Sequence, residues 1–297
     1  MIQKLSIVAP ASGFLLSDTD KTTIGAAVDA MGYRIDWGRH VDAEDRFLAG
    51  SDKDRALDLM AAFKNQYTKI ILATRGGYGS ARLLNKLDWN LIRQNPKIFI
   101  GFSDTTALQN ALLAKAKLPS ITGFLAKFWV QQPQVQLLNS LKAVIDGHGV
   151  ILNNLSTLTY GTARGIMVGG CLSVFTSLIG TPYMPKLKGR ILLLEEAGEQ
   201  PYVVDGMLTQ LRNAGVFDEI AGVILGDFSS CKSSTKNAGD GTIDQVLLDH
   251  FAALSMPVVA GVSYTHADKK LVLPFGTKTL VDADKGIVCI DGLKKKC

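Results

Sequence analysis

Two stretches decide the fold: KIILATRGGYGS (69–80) and KIFIGFSD (97–104). Each opens on a short apolar run of strand length and breaks into a glycine-containing turn with a helical pattern behind it. An unbroken apolar run marks a strand covered on both faces, as in parallel sheets. Working outward, the alternation continues. LSIVAP (5–10) and YRIDW (33–37) read as strands. Asp18 to Met31 has helical spacing and stops at Gly32. Asp52 to Phe63 is amphipathic, with Ala56, Leu59, Met60 and Phe63 on one face. Further helical stretches fall near 80–86 and over Thr105 to Lys115. Repeated βα units of this size predict an α/β domain over 1–145, a parallel sheet with helices on both faces. Its functional groups belong in the loops at the carboxyl ends of the strands.

The second half reads differently. QQPQVQ and NNLSTLTYGT are polar, so a helix near 134–146 and an inter-domain linker over 146–163 are expected. Beyond it come shorter strands: RGIMVGG, RILLLEE, GVILGDF, PVVAGVSY, KLVLPFG and KGIVCI. Helices are expected near 171–179, 203–214 and 243–253. This predicts a smaller α+β domain over 164–297 with a mainly antiparallel sheet.

Composition excludes several classes. With 297 residues, 47% hydrophobic and 20% charged, the chain matches ordinary globular usage and rules out a disordered chain. The longest apolar runs fall far short of the ~20 residues a spanning helix needs, so no membrane association is expected. The 32 Lys and Arg exceed the 27 Asp and Glu by five, but they are scattered, so no nucleic-acid partner is expected. Lys294 to Lys296 read as a solvated tail. Cys171, Cys231, Cys289 and Cys297 show neither metal-ligand nor redox spacing and read as reduced thiols. With no signal-peptide pattern in MIQKLSIVAPASG, the expected compartment is the cytoplasm.

Chemistry starts at the two turns. In GFSD, a serine on a tight strand-to-helix turn exposes its hydroxyl beside backbone N–H groups and a helix N-terminus, which suits a developing oxyanion. The alternative is that Ser103 or Asp104 caps the following helix. In RGGYGS, adjacent glycines let backbone approach a ligand, as an oxyanion donor or a phosphate cradle. The alternative is an ordinary βα turn. A hydrolytic serine needs a base and an orienting acid. The histidines are His40, His148, His250 and His266; His148 falls in the linker-like stretch and His250 on the polar side of a helix. His266 follows a strand and precedes a loop, a suitable position for a base. Glu195 and Glu196 end RILLLEE, and only one can face a given side of its strand.

Together these segments resemble the LD-carboxypeptidase family of serine peptidases, which includes the microcin-immunity peptidases. VAPAS (8–12), RGGYGSARLL (75–84), GFSDTTAL (101–108), RGIMVGGCLSVFTSLIGTPY (164–183), LLLEEAGEQPYVVDGMLTQL (192–211) and HADKKLVLPFG (266–276) carry the resemblance, in order, over nearly the whole chain. It implies a Rossmann-like N-terminal domain supplying the nucleophile, Ser103, and a C-terminal domain supplying the acid, Glu195, and the base, His266, with the site where the domains meet. Backbone N–H groups of Gly77 and Asp104 are the implied oxyanion hole. No metal or organic cofactor is implied. The substrate would be a peptide with a free C-terminal carboxylate: a muropeptide tetrapeptide cut between an L-diamino acid and D-Ala during peptidoglycan recycling. Arg75 is placed to bind that carboxylate, with a structural salt bridge as its alternative. A homodimer is implied. Departures from the family pattern are Cys171 for Asn after Gly169-Gly170, Asp205-Gly206 for Asp-Arg, and Thr265 for Gly. Two competing readings are an immunity peptidase acting on a peptidyl-nucleotide or acyl-sulfamate antibiotic, and a non-catalytic ligand-binding protein.

Overall fold

The computed structural model describes residues 3–131, 135–233, 239, 241–267 and 270–293. The Lys294–Lys296 tail and Cys297 lie outside them. The chain divides into two units, Met1–Asp146 and Gly147–Cys297.

The first unit runs β1 (Lys4–Val8), α1 (Asp18–Ala30), β2 (Arg34–Trp37), α2 (Asp52–Lys64), β3 (Thr68–Ala73), α3 (Trp89–Gln94), β4 (Ile98–Gly101), α4 (Thr106–Ala111), β5 (Ser120–Thr122), α5 (Phe128–Gln131) and α6 (Val135–Ile145). Strands β5, β4, β3, β1 and β2 lie side by side in that order, all parallel. Ile70, Ile71, Leu72, Phe99 and Ile100 are buried, as their unbroken apolar runs require. Ser17 and Ser51 cap α1 and α2, each accepting the N–H three residues on. The buried face of α2 holds more than the apolar stripe: Arg55 and Asp58 are buried with it. The helix expected near 80–86 is a single 3₁₀ turn, Ser80–Leu83.

The second unit runs β6 (Val150–Leu152), β7 (Ser156–Thr159), β8 (Thr162–Cys171), α7 (Leu172–Thr176), β9 (Ile191–Ala197), α8 (Pro201–Asn213), α9 (Val216–Glu219), β10 (Gly222–Ser229), α10 (Ile243–Phe251), β11 (Val258–Ala260), β12 (Leu273–Phe275), β13 (Lys278–Asp282) and β14 (Ile287–Ile290). Eight strands form a sheet ordered β6-β14-β13-β8-β9-β10-β11-β7. Its outer pairings are antiparallel, whereas β8, β9, β10 and β11 run parallel through its centre.

Two expectations need correcting. The polar segment 146–163 is not a linker: it carries β6 and β7, the two edge strands of this sheet, and the start of β8. The second unit is therefore no smaller than the first. Edge strands pair on one side only and stay half-exposed, so they lack the apolar run of a central strand.

His250 differs from expectation too. It is buried between α8 and α10, with Nε2 at 2.9 Å from Asp205 Oδ1 and Nδ1 at 3.2 Å from Arg212 Nη2. Arg212 also donates to the His250 carbonyl at 3.0 Å. His250→Ala deletes a buried imidazole and both of its hydrogen bonds, and is expected to cost about 1–3 kcal/mol in a urea unfolding experiment.

Candidate active site

Ser103 sits where β4 turns into a helix, and its φ is +63°, in the left-handed region. A non-glycine residue there is strained by roughly 1–2 kcal/mol, a cost found in nucleophile turns that aim a side chain outward. The residue at the cap position of this turn is Phe102, which has no side-chain hydrogen bond to offer. The turn is tight because Gly101 allows it: a Cβ there would lie 2.2 Å from Thr105 Oγ1. Thr105 fastens the turn by donating its hydroxyl to the Phe102 carbonyl at 3.1 Å.

The glycine loop packs directly against this turn. A Cβ on Gly76 would stand 2.8 Å from Ser103 Cβ and 3.0 Å from its Oγ, so only glycine lets the loop pass there. Gly77, at φ +104°, turns toward Ser12, whose Oγ would lie 2.4 Å from a Cβ. Ser12 Oγ accepts the Tyr78 N–H at 3.0 Å. The buried Asp104 carboxylate accepts the N–H of Gly79 at 3.1 Å and of Ser80 at 2.8 Å. Ser80 Oγ returns a bond to the Asp104 carbonyl at 2.6 Å. Burial pushes the Asp104 carboxyl above the usual carboxylate range, and these donors, with Arg55 nearby, pull it back in part. The sequence does not show that Gly76 makes room for Ser103, that Ser12 holds the loop, or that the Asp104 side chain binds the loop rather than capping a helix. Only the doubled glycine and VAPAS hinted at the first two.

Arg75 is half-buried, donates Nη1 to the Gly13 carbonyl at 3.1 Å, and has no carboxylate partner among the described residues. The salt-bridge alternative is thus not what the structure shows.

In the second unit, His266 Nδ1 lies 2.7 Å from Glu195 Oε2, with the carboxylate fully buried and the imidazole 29% exposed. A proton on Nδ1 donated to this carboxylate leaves the ring's lone pair at Nε2. Burial pushes Glu195 above its ordinary range, and the hydrogen bond from His266 opposes that push. Glu196 points to the other side of β9, as strand alternation demands. It accepts the N–H of Ser173 at 2.7 Å and of Ala197 at 2.9 Å. Cys171 lies beside it, Sγ at 3.6 Å from Oε1; burial, then Glu195 and Glu196, raises this thiol well above its usual range. Thr265 anchors the histidine turn to β10 through Asp227 Oδ2 at 2.8 Å and Ser229 Oγ at 2.7 Å. A cavity of about 590 Å³ lies beside this turn, its lining including Asp227, Asp244, Thr265 and Ala267. His40 serves α2 instead, with Nδ1 2.9 Å from Asp58 Oδ1. Among the described residues no cluster of three or more His, Cys, Asp or Glu could hold a metal ion. No helix of the described residues is long and apolar enough to cross a membrane.

A strained serine beneath a glycine loop, on an α/β sheet, and a histidine held by a buried glutamate are the parts of a serine hydrolase. The family models for the LD-carboxypeptidase N-terminal domain and C-terminal domain match residues 5–123 and 164–281. The chain belongs to the LD-carboxypeptidase family and is a serine-type carboxypeptidase. A putative carboxypeptidase of Streptomyces coelicolor is 33% identical over 97% of this chain and 93% of its own. Among solved structures, an MccF-like protein of Bacillus anthracis superposes with a TM-score of 0.87 at 25% identity, covering 98% of this chain and 97% of the other. A muramoyltetrapeptide carboxypeptidase of Oxalobacter formigenes gives 0.86 at 27% identity, covering 99% and 100%.

Proposed function

We propose that the chain releases terminal D-Ala from a muropeptide tetrapeptide, cutting the bond that follows its L-diamino acid. Ser103 Oγ attacks the scissile carbonyl while His266 Nε2 takes its proton. Glu195 holds the imidazole tautomer and stabilises the imidazolium. The N–H groups of Gly77 and Asp104 receive the oxyanion, each donor being typically worth about 3–4 kcal/mol. His266 then protonates the departing amine, and water hydrolyses the ester. Arg75 binds the free carboxylate of D-Ala, and Asp227 and Asp244 suit the ammonium of a diamino residue. The observation that carries the reading is the 2.7 Å His266–Glu195 bond with the glutamate fully buried, in a chain whose relatives include a muramoyltetrapeptide carboxypeptidase. We place this activity in cytoplasmic peptidoglycan recycling, performed by a homodimer.

The immunity reading would need an aromatic platform for a nucleobase. Two of the tryptophans do not supply it: Trp129 is buried against Phe124, and Trp89 Nε1 donates to the Leu84 carbonyl. Trp37 lines a cavity with His40 and Asp58, and the exposed aromatic pair at the glycine loop is Phe47 and Tyr78. The test is to offer L-Ala-γ-D-Glu-meso-diaminopimelate-D-Ala and an aspartyl-sulfamoyl nucleoside in parallel. Faster turnover of the tetrapeptide supports the reading; turnover of the nucleoside alone replaces it with the immunity reading.

Gly76→Ala should disturb the reaction more than the fold. The added methyl pushes on Ser103 Cβ and Oγ, and a shift of about 1 Å can cost ~10²-fold in rate. Steady-state kinetics should show the loss in kcat, with KM little changed.

A further inference from the structure

Arg55 is a cation only 2% exposed, on the buried face of α2. Its Nη1 donates to the Gly79 carbonyl at 2.9 Å and also to the Pro10 carbonyl. Nη2 pairs with Asp52 Oδ1, and Asp52 is held in turn by Arg82, Nε to Oδ1 at 2.9 Å. One guanidinium therefore ties together α2, the loop after β1 and the glycine loop after β3. Gly79 is held through both of its flanking peptide groups, its N–H by Asp104 and its carbonyl by Arg55. With Tyr78 N–H on Ser12 and Ser80 N–H on Asp104, three successive amides of the loop are fixed. Those of Gly76 and Gly77, just before them, have no protein acceptor among the described residues. Fixing one end of so short a loop fixes where the other end stands against Ser103.

We infer that Arg55 is a positioning residue for the Ser103 reaction: through Gly79 it sets the place of the Gly77 amide that receives the oxyanion. The inference rests on the reading of Ser103 as nucleophile. Neither replacement considered for a test reproduces the fork. Lysine keeps the charge but presents a single nitrogen, and methionine keeps only the bulk. A buried cation paired with Asp52 also contributes to stability, and the readout is one that a purely structural role does not move.

The measurement is the rate at which a fluorophosphonate labels the protein, followed by intact mass and peptide mapping. Ser103 Oγ bonds to phosphorus, fluoride leaves, and the hydroxyl proton passes to His266. The phosphoryl oxygen needs the same donors as the oxyanion. Arg55→Lys and Arg55→Met are compared with wild type and with His250→Ala, a destabilised variant altered in the other unit. Circular dichroism and thermal unfolding establish that each is folded at the assay temperature, and guanidinium is added to Arg55→Ala as a rescue arm. Labelling about 10- to 100-fold slower in both Arg55 variants, with His250→Ala at the wild-type rate and Arg55→Ala restored by guanidinium, is the expected result. Wild-type rates in folded Arg55 variants would overturn the inference while leaving the nucleophile in place. A wild-type protein not labelled at Ser103 would overturn both.

Discussion

Ser103→Ala is expected to lower kcat for D-Ala release by about 10⁴-fold or more, because it removes the Oγ proposed as the nucleophile. The residue's backbone adds a second, independent expectation. Its φ of +63° is a conformation that L side chains adopt at a cost, so alanine inherits the strain but glycine does not. Ser103→Gly should therefore be as inactive as Ser103→Ala yet more stable than wild type, by about 1 kcal/mol in denaturant unfolding. Stability falling in Ser103→Gly would show that this turn stores no strain for the reaction.

Glu195→Gln carries the second large effect, a loss of about 10³- to 10⁴-fold in kcat with KM little changed. Glutamine nearly fills the same volume, but it is neutral and cannot stabilise an imidazolium at His266, the role proposed for Glu195. The same substitution makes a stability prediction of defined sign. Glu195 is fully buried, and its carboxyl lies above its unfolded value, burial outweighing the hydrogen bond from His266. Above that raised value the folded state bears a buried charge, a cost that is relieved as pH falls from the folded pKa toward the unfolded one. Glu195→Gln removes the cost, so its stability relative to wild type should be highest at neutral pH and decline through that acid window. Urea unfolding of both proteins across the carboxylate range measures it.

Much of this was legible in the residues, and the omissions have physical reasons. Central strands are visible because burial on both faces leaves a continuous apolar run, as in IILA of β3 and ILLL of β9. The edge strands β6 and β7 pair with β14 and β11, more than a hundred and about a hundred residues away, and expose much of their length. Nothing local in NNLSTLTYGT announces such partners. The division of labour between Glu195 and Glu196 follows from strand alternation, but their partners do not. Charged residues on a buried helix face are the hardest to see. Arg55 and Asp58 look like ordinary surface charges of an amphipathic helix until their acceptors and donors, supplied by distant loops, are in place. The same holds for His250, which the helical pattern assigns to a polar face and which Arg212 and Asp205 contact in a buried position.

The family's departures in this chain fall on supporting positions. Thr265 ties the histidine turn to β10, Gly206 follows Asp205 on α8, and Cys171 lines the side of β9 that Glu196 faces. None of them alters Ser103, Glu195 or His266 themselves.

The most direct measurement is mass spectrometry of the protein quenched during turnover of L-Ala-γ-D-Glu-meso-diaminopimelate-D-Ala. A tripeptidyl ester on the peptide carrying Ser103, absent from Ser103→Ala and appearing together with free D-Ala, is the predicted result. Release of D-Ala by Ser103→Ala at the wild-type rate would contradict the account.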